Sequence, residues 1–432
     1  MISRPFGKAA GFSAQLGYCV IKTAWMDAIL LTPVRIAKTT ATAFRDQIHP
    51  FVKASIFCTK LRGHCRITSI EKCSKFLLTT YYGDKTGGRL PTEKLGAYNL
   101  TLDIYKGLLI ILVVIRHVLQ YSVSDEGGIL TNFIWAVQMP GFMLVAGYFS
   151  ARKVDSWSTV GKRILLSAQH YALPFFSWYI LINCLLLGAY DRNPVTAVST
   201  LLTHVDGGLW FLWVVFVLSI MATLANYMLM GGKGKILRMA VVLIICFGLL
   251  TGVGIAFGIN FLGIKYILYY AVFYGFGWLL KWTEELWKQW WPKVSSIIIA
   301  IALIVFLAII FNYDLYHAPD NLIGIALRCI AGFNGNLVLL WCCSKYEGQL
   351  NRLNLGWIGM YTLEIYATHM YVNNLMEMNS GFFTVAGFAN FVASLILTVL
   401  FTLIIIAVFK SIPAMDFVFY GKRQKKAVKN LV

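Results

Sequence analysis

Charge is what this sequence has little of. Only 13% of its 432 residues are Asp, Glu, Lys or Arg, where a soluble domain carries about 25%. With a mean hydropathy of +0.68, such a chain cannot clothe a water-facing surface, and an integral membrane protein is expected. Acidic residues are scarcest: 19 Asp and Glu face 38 Lys and Arg, a formal net charge of +19. In a soluble protein that excess would point to nucleic acid. Here the positive residues collect in loops between apolar runs, which is how a polytopic protein is oriented, so no nucleic-acid partner is expected. The nine cysteines contain no CxxC pair, which argues against a disulfide framework and a zinc site alike, even with His64 beside Cys65. Cys184, Cys246, Cys329, Cys342 and Cys343 lie in or beside apolar segments, where Cys acts as a small hydrophobe. No secretory leader is read at the start, because MISRPFGKAAGF is basic but is not followed by a compact apolar core and cleavage site. No internal repeat is visible, so the inverted symmetry of many transporters is not evident.

What is present divides into three parts. Residues 1–99 hold 15 Lys and Arg against 5 Asp and Glu and no clean apolar run of about 20 residues. They read as a basic cytoplasmic extension, partly disordered or amphipathic. Within it QLGYCVIKTAWMDAILLTPV, 15–34, is broken by Lys22, Asp27 and Pro33 and suits a helix lying on the membrane rather than through it. From residue 100 to 410 ten spans are expected, at 100–121, 129–149, 164–188, 209–230, 238–257, 264–281, 294–311, 322–343, 357–378 and 382–409, each near the ~20 residues that a bilayer requires. Residues 411–432 read as a basic cytoplasmic tail. With the N-terminus cytoplasmic, the inner loops and tail carry 18 positive residues and the outer loops only Arg192 and Lys265. That asymmetry predicts an all-α protein of about ten transmembrane helices with both termini inside.

The first span, LDIYKGLLIILVVIRHVLQY, is the anomaly, because it carries Lys106, Arg116 and His117. Lys106 and His117 are 11 residues apart, within about 20° of three full turns, and so share a face with about 16 Å of helix between them. Ionisable groups in a span mark a wet cavity or a functional path. Alternatively Lys106 snorkels to the headgroups, Arg116 does the same at the outer end, and His117 is bonded to a buried neighbour.

These residues resemble a known family. Asp103, Lys106-Gly107, an aliphatic run and His117 resemble the first-helix signature of the acyltransferase-3 family, polytopic membrane enzymes that acylate glycans and related molecules. Further stretches follow in family order. MPGFMLVAGYFSARK, 139–153, resembles the second-helix motif, with Gly147-Tyr148 as its small-plus-aromatic pair. ALPFFSWY, 172–179, and LWFLWVVFV, 209–217, resemble the next two, and YTLEIYATHMY, 361–371, the late Glu-Ile-Tyr-x-x-His motif. The likeness covers residues 100–410 and is nearest the stand-alone sugar O-acetylase type. The sequence departs from the pattern where Lys106 replaces the commoner Arg, which binds phosphate bidentately while Lys acts as a point charge. It departs again where Arg163 stands 11 residues before Pro174, with His170 in the nearer region.

The resemblance implies transfer of an acyl group, expected to be acetyl, from acyl-CoA (acetyl-CoA) to a hydroxyl of a surface or exported glycan or lipid-linked sugar at a bacterial inner (plasma) membrane, with no bound cofactor or metal. Elementary chemistry agrees. A hydroxyl attacking a thioester must lose its proton, a task suited to His, and the carbonyl oxygen gains negative charge that a cation stabilises. His117 is the expected base and Lys106 the donor-binding or charge-stabilising residue. Arg116, next to the base, is the third expected catalytic residue. Arg152 and Arg163 join Lys106 as phosphate ligands, with Asp103 beside them. Trp210, Trp213 and Tyr148 either anchor at interfaces or line a sugar site. Glu364 and His369, five positions apart and so on no strict common face, either serve the site or make a structural bond, and Arg328 is expected to pair with Glu364. Two other classes fit the same charges: a glycan or amphiphile transporter that transfers nothing, and a non-catalytic scaffold recruited through residues 1–99. Deleting residues 1–95 separates the last from an enzyme. The expected outcome is retained transfer of label from acetyl-CoA, and loss of it would favour the scaffold.

Overall fold

The computed structural model describes residues 99–120, 128–186, 193–230, 232–289, 291–317, 320–377 and 388–422. Among these residues all regular structure is helical. The extension 1–98, with the amphipathic stretch 15–34, lies outside them.

The first helix, α1 (Leu100–Val118), starts where the sequence says it should. The Asn99 side chain accepts a hydrogen bond from the Leu102 amide at 3.1 Å, as an N-cap does. Asp103 stands in the first turn and Arg116 and His117 in the last, each at the end where the helix dipole favours its charge. Next come α2 (Ile129–Ser150), α3 (Trp157–Ser167) and α4 (Leu173–Ser177). Ala168–Ala172 and Trp178–Leu186, on either side of α4, are π-helical. Pro174 has no amide hydrogen to give the preceding turn, and a π turn accommodates such a gap. Beyond lie α5 (Pro194–Thr203), α6 (Trp210–Leu229), α7 (Lys235–Phe257), α8 (Ile264–Trp282), α9 (Glu284–Lys288) and α10 (Trp291–Asn312). The chain continues through α11 (Leu322–Lys345), α12 (Glu347–Arg352), α13 (Leu355–Met360), α14 (Thr362–Glu377), α15 (Phe388–Ser411) and α16 (Pro413–Tyr420).

Among the described residues, six helical stretches are long and apolar enough to cross a bilayer: Ile129–Ser150, Trp210–Leu229, Lys235–Phe257, Ser295–Asn312, Leu322–Lys345 and Ala389–Ser411. With helix α7 burying no residue at all, its apolar side chains are at home in hydrocarbon and costly in water. The protein is therefore an integral membrane protein. The other four expected segments are helical too, but none is a plain apolar rod. Helix α1 carries Asp103, Lys106 and Arg116, the stretch 157–186 contains the π turns, α8 holds Lys265, Lys281 and four tyrosines, and 355–377 breaks at Tyr361 between α13 and α14.

The helices α1 and α2 sit at the centre. Helix α1 packs against α13, α14, α2 and α11, and α2 against α8, α11 and α6. The α1–α13 crossing is made backbone to backbone: a Cβ on Gly107 would strike the Leu355 carbonyl, and one on Gly359 the Asp103 carbonyl. Small residues give apolar helices this close approach where lipid offers no hydrophobic drive. Gly147 plays the same part against α8, which accounts for the small member of the second-helix pair. The core between them holds Ile104, Tyr105, Leu109, Met143 and Phe273, and the Tyr105 hydroxyl donates to Asn336 Oδ1 at 2.5 Å.

One boundary differs from expectation. Residues 413–422 are not a solvated tail: α16 buries Asp416, Phe419 and Tyr420. The alternation of apolar and polar residues in PAMDFVFY, read as tail because basic residues follow it, has a folded partner.

Gly359→Leu is expected to abolish the monodisperse, folded protein in detergent. Overpacking costs about 1–3 kcal/mol even where side chains can move, and here the obstacle is backbone. Size-exclusion chromatography of the tagged variant checks this.

Candidate functional site

His117 and His369 face one another. Their ring centroids are 5.2 Å apart with the planes inclined at 51°. The last turn of α1 supplies the first and the middle of α14 the second. His369 is fully buried, and its Nδ1 is 2.8 Å from the Ile365 carbonyl. A carbonyl only accepts, so Nδ1 carries the proton and the neutral ring leaves its lone pair on Nε2. That Nε2 is buried and takes no hydrogen bond among the described residues. Tyr366 lies beside His369 at 6.1 Å between ring centres, and Phe211 beside Tyr366 at 5.5 Å.

Arg116 does not snorkel. Only 3% of it is exposed, and its guanidinium lies 4.9 Å from the centre of the Tyr316 ring, a cation–π contact. The Arg116 Nη1 is buried and without a hydrogen bond among the described residues, so a buried charged donor is carried by the residue just before His117. Tyr316 is held from α2. The Asn132 amide donates to the Tyr313 carbonyl at 2.9 Å and accepts from the Leu315 amide at 3.0 Å, while Leu315 is fully buried. Nothing in the sequence flagged Tyr316, because its loop is distant in the chain from residue 116.

The expected pairing of Arg328 with Glu364 is replaced. Arg328 bonds Asp320 Oδ1 at 2.7 Å and lies over Trp135 at 5.6 Å. Glu364 receives Lys410 at 3.0 Å and Lys422 at 2.5 Å, both on Oε1. Arg328 is in the second turn of α11, near the Asp320 loop, and Glu364 is in the first turn of α14, where the C-terminal lysines arrive. Glu364 and His369 indeed serve different faces: one meets the C-terminal segment, the other His117.

Away from the histidines, at the Leu100 end of α1, Lys106 bonds Asp103 at 2.7 Å and lies 5.9 Å from the Phe149 ring. Tyr148 next to it joins a charged cluster, its hydroxyl donating to Glu284 Oε1 at 3.1 Å and accepting from Lys281 at 3.3 Å. Lys281 and Lys288 each reach Glu284 at 2.5 Å. Arg152 is exposed in the turn after α2, and Arg163 in α3 donates to the Lys153 carbonyl at 3.1 Å. Burial lowers the Arg163 pKa, with the charge of Arg152 adding to it and Asp155 opposing, so the two guanidiniums share one electrostatic neighbourhood. Trp210 stacks on Tyr266 at 4.9 Å and on Tyr270 at 5.2 Å. Trp213 stacks on Phe175 at 5.4 Å and donates its Nε1 hydrogen to the Leu262 carbonyl at 2.9 Å. Trp213 is thus committed to packing. Among the described residues no group of three or more His, Cys, Asp and Glu side chains is placed to hold a metal.

The arrangement offers a nitrogen base, a second imidazole and a buried cation at one place, and separate cationic groups about 16 Å along α1. That is the equipment for removing a proton and stabilising an oxyanion.

Comparison with known proteins points the same way. The acyltransferase-3 family model, described as an acyltransferase domain, matches residues 99–408. The nodulation protein NolL of Mesorhizobium japonicum is 28% identical over 310 residues, covering 65% of this chain and 78% of that protein. A nodulation protein NolL of Sinorhizobium fredii is 35% identical over 132 residues, 28% of this chain and only 35% of the relative's length. No solved structure matches the chain.

The Tyr148 cluster predicts a pH effect on stability. Burial pushes the Glu284 carboxyl up, but hydrogen bonds from Lys281, Lys288 and Tyr148 outweigh it and bring it from 4.5 down to about 2. Because the folded value is depressed, the stabilisation is fully present above the ordinary value and is lost as pH falls through about 2. Glu284→Gln is expected to flatten that acid limb in thermal melts of the detergent-solubilised protein.

Proposed function

We propose that this chain, which belongs to the acyltransferase-3 family and is a membrane O-acyltransferase, moves an acetyl group from acetyl-CoA to a hydroxyl of a surface or exported glycan. The observation that carries the reading is the His117–His369 pair at 5.2 Å beside the buried Arg116. His117 takes the proton of the acceptor hydroxyl. The freed oxygen attacks the thioester carbonyl, and Arg116 Nη1 stabilises the oxyanion. As the intermediate collapses, the carbon–sulfur bond breaks, and the departing thiolate receives the proton that His117 holds. His369, its Nδ1 tied to Ile365, keeps Nε2 toward the reacting groups and supports His117.

The donor end is the cationic group at the start of α1. Lys106, oriented by Asp103, and Arg152 with Arg163 hold the phosphates of CoA by charge-assisted hydrogen bonds, and the acyl arm runs along α1 toward His117. The 18-to-2 asymmetry of positive residues supports ten spans with both termini cytoplasmic, in a bacterial inner membrane. Acyl-CoA then enters from inside and the glycan meets it at the outer end of α1. Trp210 with Tyr266 and Tyr270 forms an aromatic wall suited to pyranose faces, and Arg328 with Asp320 borders the same outer end.

The test is His117→Ala in the purified full-length protein, supplied with labelled acetyl-CoA and the envelope glycan fraction of the expressing cells. Loss of about 10²–10⁴-fold in transfer is expected, with membrane insertion unchanged. Wild-type transfer by the variant would overturn the assignment of the base, and no transfer by the unmodified protein would favour a transporter.

A further inference from the structure

The C-terminal segment does more than end the chain. Lys422, two residues past α16, places Nζ 2.5 Å from Glu364 Oε1. Lys410, at the end of α15, reaches the same oxygen at 3.0 Å, and Asp416 lies 3.9 Å from Lys410. Glu364 is fully buried. One turn along α14, Thr368 Oγ1 and the Tyr420 hydroxyl are 2.9 Å apart. One turn further, Tyr371 stacks on Trp178 at 4.9 Å. Trp178 in turn donates its Nε1 hydrogen to the Phe419 carbonyl at 2.9 Å. Positions 364, 368 and 371 have the i, i+4, i+7 spacing of one helix face. That face of α14 is therefore occupied by α16 and by the aromatic residue that α16 engages.

The segment is itself pinned. Gln169 donates its side-chain amide to the Gly421 carbonyl at 2.7 Å. Gly421 has φ +66°, a conformation costly to other residues, and a Cβ there would strike the Gln169 carbonyl. The glycine ends α16 and turns Lys422 onto Glu364.

His369 follows Thr368 directly and projects about 100° round the helix from it, toward His117. We propose that residues 413–422 form a latch that sets the rotation and depth of α14 and so positions His369 against His117, with Lys422 and Tyr420 as its positioning residues. The inference rests on the reading of those histidines as the acyl-transfer pair. It also alters an expectation drawn from the sequence: a core ending at residue 410 lacks the latch.

The experiment uses the purified full-length protein carrying Lys422→Met, Lys422→Arg or Tyr420→Phe. In Lys422→Met, Lys410 still neutralises Glu364, so the buried carboxylate keeps a counter-charge. Transfer of label from acetyl-CoA to the envelope glycan fraction gives kcat and KM for acetyl-CoA, and a thermal melt reports folding. The latch predicts that Lys422→Met lowers kcat by up to about 100-fold, the cost of misplacing a catalytic group, with KM and the melt unchanged. Tyr420→Phe lowers kcat in the same sense, and Lys422→Arg restores it. Wild-type kcat in both Lys422→Met and Tyr420→Phe would overturn the proposal. So would a loss that follows the melt and is not rescued by Arg, or a rise in KM alone, which would make Lys422 a donor ligand. Absence of transfer by the unmodified protein would sink the parent reading and the latch together, and is told apart because every variant then matches it.

Discussion

The contact between α1 and α13 is made by two backbones touching at Gly107 and Gly359. In lipid there is no water to drive apolar helices together, so association depends on close packing and interior polar bonds. This crossing lies at the Asp103–Lys106 end of α1 and fixes the helix that carries both ends of the site. Helix α14 begins at Thr362, with only Tyr361 between it and α13, and its direction is set there. The facing of His117 and His369 two to three turns away depends on that direction. A side chain at either glycine would push α1 from α13 and carry the histidines with it.

The charged residues follow a common rule. An ionisable group within a membrane protein needs a partner or a purpose. Several have acidic partners close in the fold: Lys106 with Asp103, Arg328 with Asp320, Lys281 and Lys288 with Glu284, Lys410 and Lys422 with Glu364. Arg116 differs, with an aromatic ring on its face and a buried Nη1 that bonds nothing among the described residues. The contrast isolates Arg116 as the cation left available beside the histidine pair. Family membership supplies the chemical class, acyl transfer, and the local geometry supplies residues capable of it.

Several features were legible in the order of residues. The apolar run expected to span 100–121 announced α1, and the helix runs unbroken past both Lys106 and His117. The acyltransferase signatures at 103–117, 139–153 and 361–371 fall within the matched region 99–408. Other features were hidden for identifiable reasons. Periodicity gave no means of choosing a partner for Glu364, since Lys410 and Lys422 are 46 and 58 residues away. Arg328 has its acidic partner only eight residues back, at Asp320, yet on the far side of a helix start that pattern alone does not orient. Residues 413–420 are too short and too close to the basic end to read as part of a core.

The sequence by itself determined the solvent, the helical class, the family and the two histidine-bearing segments. Those follow from local quantities: hydropathy over a span's length, charge between spans, and short spacings along one helix. Only the tertiary structure decided that His117 meets His369, that Arg116 is covered by Tyr316, and that residues 413–422 pack on α14. Each of those is a contact between segments distant in the chain, fixed by where backbones can approach and where buried charge finds its counterpart, and none is written in the neighbourhood of a single residue.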